Sequence, residues 1–239
     1  MNSNRKQHIH ENICEEIKTA AWEQIAAGGI ESLSLSAIAR QMELTPPALY
    51  RYFASRDELV NALIADAHCS FAAGLDSARS STPSTDYSGQ VRAMCLGYHA
   101  WALAHPEQFR LIFGRLLPVE TAQTGQPSSA GQAADRSFSV LLEALNAADR
   151  AGQIHPLLPV PAFPADLSGQ LASVRQPGTD YPPRVLYLAL QCWTFMHGIT
   201  SLELNGQYAI LLGDSADTFV RLEIERFLMA IGLVENRPE

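Results

Sequence analysis

The residue types best suited to recognition chemistry crowd into one stretch, from Ser34 to Arg56. Arg51 carries a planar, permanently charged fork that fits a guanine edge bidentately or clasps a phosphate. Just ahead of it, Pro46, Pro47 and Ala48 present only apolar surface, which suits a thymine methyl. The hydroxyls of Ser34, Thr45, Tyr50 and Tyr52 can donate to phosphate oxygens and so fix a register without reading sequence. Arg56 adds reach and charge for the same backbone. Together these residues point to a duplex DNA contact made by one short element.

Periodicity supplies the elements that would hold that contact. Ile13, Ile17, Ala21 and Ile25 recur every fourth residue from about Ile9 to Ala27, and Gly28-Gly29 ends the segment. Leu35, Ile38, Ala39 and Met42 follow helical spacing behind Ser34 as N-cap. Thr45 caps a third helix with Pro46 at its first position, where the missing N–H is harmless, and Leu49 and Phe53 form its apolar stripe. Ser55-Arg56-Asp57-Glu58 reads as a capping box for a fourth helix through Leu59, Leu63, Ala67 and Phe71. Three short helices packed on each other leave the outer face of the one starting at Thr45 free to enter a major groove, N-terminal end first. The competing reading is a buried helical hairpin in which Tyr50, Tyr52 and Phe53 are plain core.

The run Ala37-Ile38-Ala39, then Leu44 to Phe53 with its Leu-Tyr-x-x-Phe centre, then Ser55-Arg56-Asp57-Glu58-Leu59, closely resembles the N-terminal signature of TetR-family regulators. The resemblance implies a homodimer in which each head reads half of a palindromic operator and a small-molecule effector in the C-terminal body alters head spacing. One departure stands in the turn between the two short helices, where the family usually has Gly and this chain has Glu43. A non-Gly residue in a left-handed turn costs roughly 1 kcal/mol. The carboxylate also brings a negative charge near DNA.

Beyond a Ser/Thr-rich connection at Ser77–Ser84, Val91, Met94, Tyr98 and Trp101 mark one helix, and Pro106 opens another through Phe109 and Phe113. Residues Pro118–Gly131 lack periodicity and read as a loop, followed by a helix through Phe138, Leu141, Leu142 and Leu145. Seven prolines between Ile154 and Pro183 exclude regular helix there. Two helices close the chain: an apolar one from about Pro183 to Leu204, and a last one carrying Val220, Ile224, Phe227, Leu228 and Ile231. The fold expected is all-α, with a helix-turn-helix domain over 1–75 and a helical regulatory domain over 76–239.

Trp193, His197 and Gly198 resemble the Trp-His-Gly signature of one TetR C-terminal subclass, which implies dimerisation through the last two helices in a four-helix bundle. Their apolar faces exceed what one small domain hides. Met94, Tyr98, Trp101, Phe109, Phe113, Phe138, Trp193, Met196 and His197 are the candidates to line an effector cavity, although aromatics at helical spacing are more often simple core.

Composition bounds the rest. Apolar residues make up 47% and charged residues 18%, as in an ordinary globular protein. The net charge of −8, with six Lys/Arg against nine Asp/Glu over Met1–Leu75, argues against non-specific coating of DNA and requires locally placed cations. No apolar export segment or bilayer-length stretch stands out, and the four cysteines form no CxxC, so reduced thiols in a cytoplasm are expected. His68, His99 and His105 lack recognisable metal-ligand spacing, and no cation neighbours Cys14, Cys69, Cys95 or Cys192 in sequence to mark an activated thiol. No phosphate loop, HExxH or GxSxG is present, which argues against a helical enzyme, and no cofactor is expected.

Overall fold

The computed structural model describes residues 2–114, 129–156, 163–164 and 181–233. Among them every regular element is helical. The helices are α1 (Asn2–Gly28), α2 (Leu35–Gln41), α3 (Pro46–Leu49), α4 (Arg56–Ser80), α5 (Tyr87–Ala104) and α6 (Pro106–Phe113), followed by α7 (Ser129–Arg150), α8 (Pro183–Leu204), α9 (Gln207–Leu212) and α10 (Ala216–Ala230). The chain divides into two compact units, one of Met1–His68 with His105–Ala133 and one of Cys69–Ala104 with Ala134–Glu239.

The first unit is built on a core of Ile17, Ala21, Ile25, Leu35, Ile38, Leu49, Phe53, Leu59 and Leu63, joined by Leu111 of α6. These are the periodic apolar positions of four helices, so hydrophobic burial sets the packing. α1 stops where Gly29 turns to φ 73 and its N–H reaches the Ile25 carbonyl at 2.7 Å. Ser32 Oγ then donates to the Gln24 and Gly29 carbonyls, closing the helix end. α1 extends ahead of the expected start near Ile9; those added turns are polar and exposed, with no apolar stripe to announce them.

In the second unit Phe71, Met94, Leu142, Leu145, Leu186, Leu188 and Met196 are fully buried, as are Val220 and Ile224 of α10. α4 runs on to Ser80, four residues into the segment expected as a linker. A Cβ added to Gly97 of α5 would lie 2.8 Å from Ala78 Cβ, so α4 and α5 cross closely enough to keep that polar turn helical. The loop expected at 118–131 and the connection expected at 154–183 lie largely outside the described residues. Of the first, Ser129 to Gly131 already belong to α7. The described residues of the second, 154–156, 163–164 and 181–182, carry no helix. α9 was not anticipated; it sits between Gly206 at φ 72 and Gly213 at φ 54.

Candidate nucleic-acid interface and internal cavity

The turn before α3 determines what α3 presents. α2 starts at Ser34, whose Oγ accepts from the Ala37 N–H at 3.4 Å, while the Gln24 side-chain carbonyl accepts from the Ser34 N–H at 2.9 Å. At its other end the Leu44 N–H reaches the Ala39 carbonyl at 2.8 Å and the Glu43 N–H the Arg40 carbonyl at 3.3 Å. That paired pattern needs a left-handed residue after the C-cap, and Glu43 supplies it at φ 55. Glu43 is the one non-Gly residue with positive φ among those described. The strain foreseen at this position is therefore present in the folded chain.

α3 spans four residues, and turn-type bonds from the Tyr50, Arg51, Tyr52 and Phe53 N–H groups carry the coil to Phe53. Leu49 and Phe53 are buried. Thr45, Pro46, Pro47, Tyr50 and Arg51 are exposed, and Ala48 is half-buried. Of the three side chains that the competing hairpin reading would bury, Phe53 is buried, Tyr52 packs half-buried against the same core and Tyr50 is 48% exposed. Thr45 caps α3 through its backbone without a side-chain bond. Because Pro46 and Pro47 carry no N–H, the α3 N-terminus lacks two of its usual anion donors. Contact there falls to side chains. Tyr52 is half-buried and stacks on His10 of α1, with ring centroids 4.9 Å apart.

Arg56 also bonds within the protein. Its Nε donates to the Leu33 carbonyl at 3.2 Å and its Nη2 to the Ile30 carbonyl at 2.6 Å. The guanidinium thus ties the start of α4 to the 3-10 turn before α2. The capping box forms beside it, Ser55 Oγ accepting from the Glu58 N–H at 3.1 Å and Glu58 accepting from the Ala54 N–H at 2.6 Å. Arg56→Lys should keep the charge but lose the two-carbonyl fork, lowering unfolding stability by about 1.5–3 kcal/mol in urea titration. A lysine variant as stable as the parent would return Arg56 to a purely phosphate-facing role.

The second unit holds a small, partly open cavity of about 20 Å³. Of the nine ligand candidates, Met94, Tyr98, Trp193 and Met196 line it, with Leu75, Leu141, Ser137, Cys95 and Cys192. Tyr98 Oη lies 3.3 Å from His197 Nδ1. Burial raises the Tyr98 phenol well above its usual range and lowers His197, so both are neutral near pH 7. Trp101 packs on Phe71 and bonds Ser70 Oγ at 3.1 Å, and Phe138 meets Trp193 edge-on. Neither lines the cavity. Phe109 and Phe113 belong to the other unit, where Phe113 lies edge-on to His68. Burial lowers the His68 pKa to about 4, while His99 is bound to Glu203 and His105 precedes α6. Among the described residues no three His, Cys, Asp or Glu side chains gather as a metal site, and no helix is long and apolar enough to cross a membrane.

The comparisons with known proteins agree with this architecture at both ends of the chain. Residues 17–63 match the family model described as bacterial regulatory proteins, tetR family, and residues 91–227 match the one described as tetracyclin repressor-like, C-terminal domain. HTH-type transcriptional regulators Rv1816 of Mycobacterium tuberculosis and Mb1846 of Mycobacterium bovis are each 31% identical over 220 residues, covering 90% of this chain and 91% of theirs. The crystal structure of the regulatory protein SCO4313 superposes with a TM-score of 0.70 at 33% identity, covering 93% of this chain and 98% of that one. A tetR-family protein from Rhodococcus RHA1 shares the fold at a TM-score of 0.62 and 17% identity over 93% of this chain and 98% of its own. An outward-facing α3 on a four-helix core, matched family models at both ends and relatives that are regulators rather than enzymes lead to one conclusion: the chain belongs to the TetR family of DNA-binding transcriptional regulators.

Proposed function

We propose that the protein is a homodimeric, cytoplasmic repressor that binds a palindromic operator and leaves it when a small, largely apolar effector occupies the second unit. The observation that carries this reading is the exposed row of Thr45, Pro46, Pro47 and Arg51 on a helix whose opposite side, Leu49, is fully buried. DNA reading falls to residues 1–75 and regulation to 76–239. Within the head, Arg51 reads a base edge or clasps a phosphate, Pro46, Pro47 and Ala48 make apolar contact, and Ser34, Thr45, Tyr50 and Tyr52 position the backbone. Arg56 supports the others by holding the fold and, only half-buried, adds positive charge to the head.

Dimerisation follows from the apolar surface left on the last helices. Ile210, Leu211, Leu222 and Met229 are all more than half exposed. A twofold contact that pairs α8 and α10 with their copies covers such a surface, since an isologous interface needs only one self-complementary patch. Effector control is then linkage: a ligand that favours a conformation with poor DNA affinity is itself weakened by DNA to the same extent.

Mobility shift on DNA upstream of the gene and its neighbours, with and without candidate effectors, tests the reading. A complex of dimer mass that dissociates on adding one compound is the expected result. No shift on any such fragment would remove the repressor reading. A second reading has its own observation: the 20 Å³ that the ligand candidates line holds about one water, so a larger effector at that place must open it. A shift that no compound releases would mark a ligand-independent or activating regulator of the same fold.

A further inference from the structure

Cys95 of α5 and Cys192 of α8 are 97 residues apart in sequence, yet their sulfurs lie 3.8 Å apart at the wall of the internal cavity. Both are buried and unoxidised. We propose that they form a dithiol site for a small neutral thiophile, a trivalent arsenical such as arsenous acid.

Geometry selects among soft ligands. One trivalent, pyramidal atom bonded to both sulfurs at about 2.3 Å, at an angle of roughly 90–100°, needs them about 3.3–3.5 Å apart. The observed 3.8 Å is a few tenths of an ångström wider, a gap that small side-chain rotations close. A linear two-coordinate ion would need about 4.6 Å with the same bond length, and a disulfide needs about 2.05 Å. Charge selects again. The hydrogen bond with Cys192 and burial hold the Cys95 thiol well above its usual range, so it is protonated at neutral pH. The cavity wall is chiefly Leu75, Leu141, Met94, Met196 and Trp193, which disfavours any net charge.

Condensation of As(OH)3 with two thiols satisfies both conditions. Two As–O bonds and two S–H bonds break, two As–S bonds form, and two waters leave. The product, (RS)2As–OH, is neutral, and no oxidant or reductant takes part. The arsenic would sit between the sulfurs and its remaining hydroxyl in the 20 Å³ beside them, room for about one water. Tyr98 and Ser137 are the hydroxyl-bearing residues of that lining. As a binding event this stands apart from DNA recognition; as effector control it rests on the repressor reading.

The test is sodium arsenite added to the reduced, full-length protein, with bound arsenic counted after desalting. One arsenic per chain is expected, with a rise in melting temperature because the bridge joins α5 to α8. Cys95→Ala and Cys192→Ala should each lose at least tenfold in affinity and lose the melting shift, while Cys14→Ala and Cys69→Ala keep both. Circular dichroism of the alanine variants without arsenite checks that the helices persist. Uptake unchanged in Cys95→Ala, or no uptake together with a disulfide formed under diamide, would overturn the proposal. Operator release by arsenite in the mobility-shift assay separates the two claims. Stoichiometric binding without release retains the site and refutes its role as effector.

Discussion

Truncation of Arg51 to alanine should abolish specific operator binding while leaving the fold untouched. The side chain is exposed and has no ion pair or hydrogen bond among the described residues, so stability should change by less than about 0.5 kcal/mol. A bidentate base contact is worth about 1–3 kcal/mol, or roughly 5- to 150-fold per half-site. Two half-sites multiply these losses, giving roughly 30-fold to 2 × 10⁴-fold for a dimer on a palindrome. The salt dependence then divides the two roles open to Arg51. Loss of a base contact relaxes preference at one position of each half-site, whereas loss of a phosphate contact weakens all sequences alike and lowers the salt slope by about 1 per half-site, about 2 for the dimer. An alanine variant that binds operator as the parent does would remove α3 from the interface altogether. Glu43→Gly should move binding the other way. It relieves up to about 1 kcal/mol of left-handed strain, offset in part by the greater freedom of Gly in the unfolded chain. It also deletes a carboxylate near the anionic duplex, so affinity should rise several-fold at low salt and less at high salt.

The head was readable from sequence because its determinants are local. The Ser34 hydroxyl, Glu43, Thr45 and Pro46 act within four residues of themselves, and the stripe Leu35, Ile38, Ala39 reports a buried face through spacing alone. What sequence could not show depends on contacts between distant segments. Arg56 reads as a free surface cation until the Ile30 and Leu33 carbonyls, 26 and 23 residues earlier, are seen to hold it. Cys95 and Cys192 have no spacing signal, since two helices from far apart in the chain bring them together. The helical turn through Ser77–Ser80 carries Ser and Arg that suit a linker, and only the close approach of Gly97 to Ala78 explains it. α9 was within reach: Gly206 and Gly213 bracket Tyr208-Ala-Ile-Leu-Leu212, a stop-start signal that its shortness obscured. Of the cavity candidates, Met94, Tyr98, Trp193 and Met196 share one wall because α5 and α8 pack directly, whereas Phe109 and Phe113 obey the same helical spacing in another core. Periodicity identifies a buried face but not what that face meets.

Gly198→Arg is expected to convert the protein to a folded monomer. Gly198 sits inside α8, where glycine costs about 1 kcal/mol relative to alanine. Among the described residues of one chain nothing accounts for that cost, since a Cβ built there meets none of their atoms within 4 Å. Positions 190, 194, 198 and 202 recur every fourth residue on one side of α8, and Leu190, Thr194, Gly198 and Leu202 are all exposed. Leu202 is 45% exposed and Leu222 of α10 is 57% exposed. A side-chain-free position amid exposed leucines is what close approach of a second helix requires. A solitary chain would be more stable with alanine. In the proposed dimer, an α8 face shared about the twofold axis would bring each such substitution close to its own copy, so arginine would set two unpaired charges into a closed apolar contact, a loss of about 3–5 kcal/mol or more. Light scattering after size exclusion, over a dilution series, should show the parent as a dimer and Gly198→Arg as a monomer with unchanged helical content. Gly198→Ala should split the two effects, raising the melting temperature at concentrations where the chain is monomeric and weakening the dimer where it is not. Operator affinity should fall with the dimer, because a single head engages one half-site and forfeits the second. A Gly198→Arg chain that remained dimeric would place the interface elsewhere and leave α8's bare face without a reason.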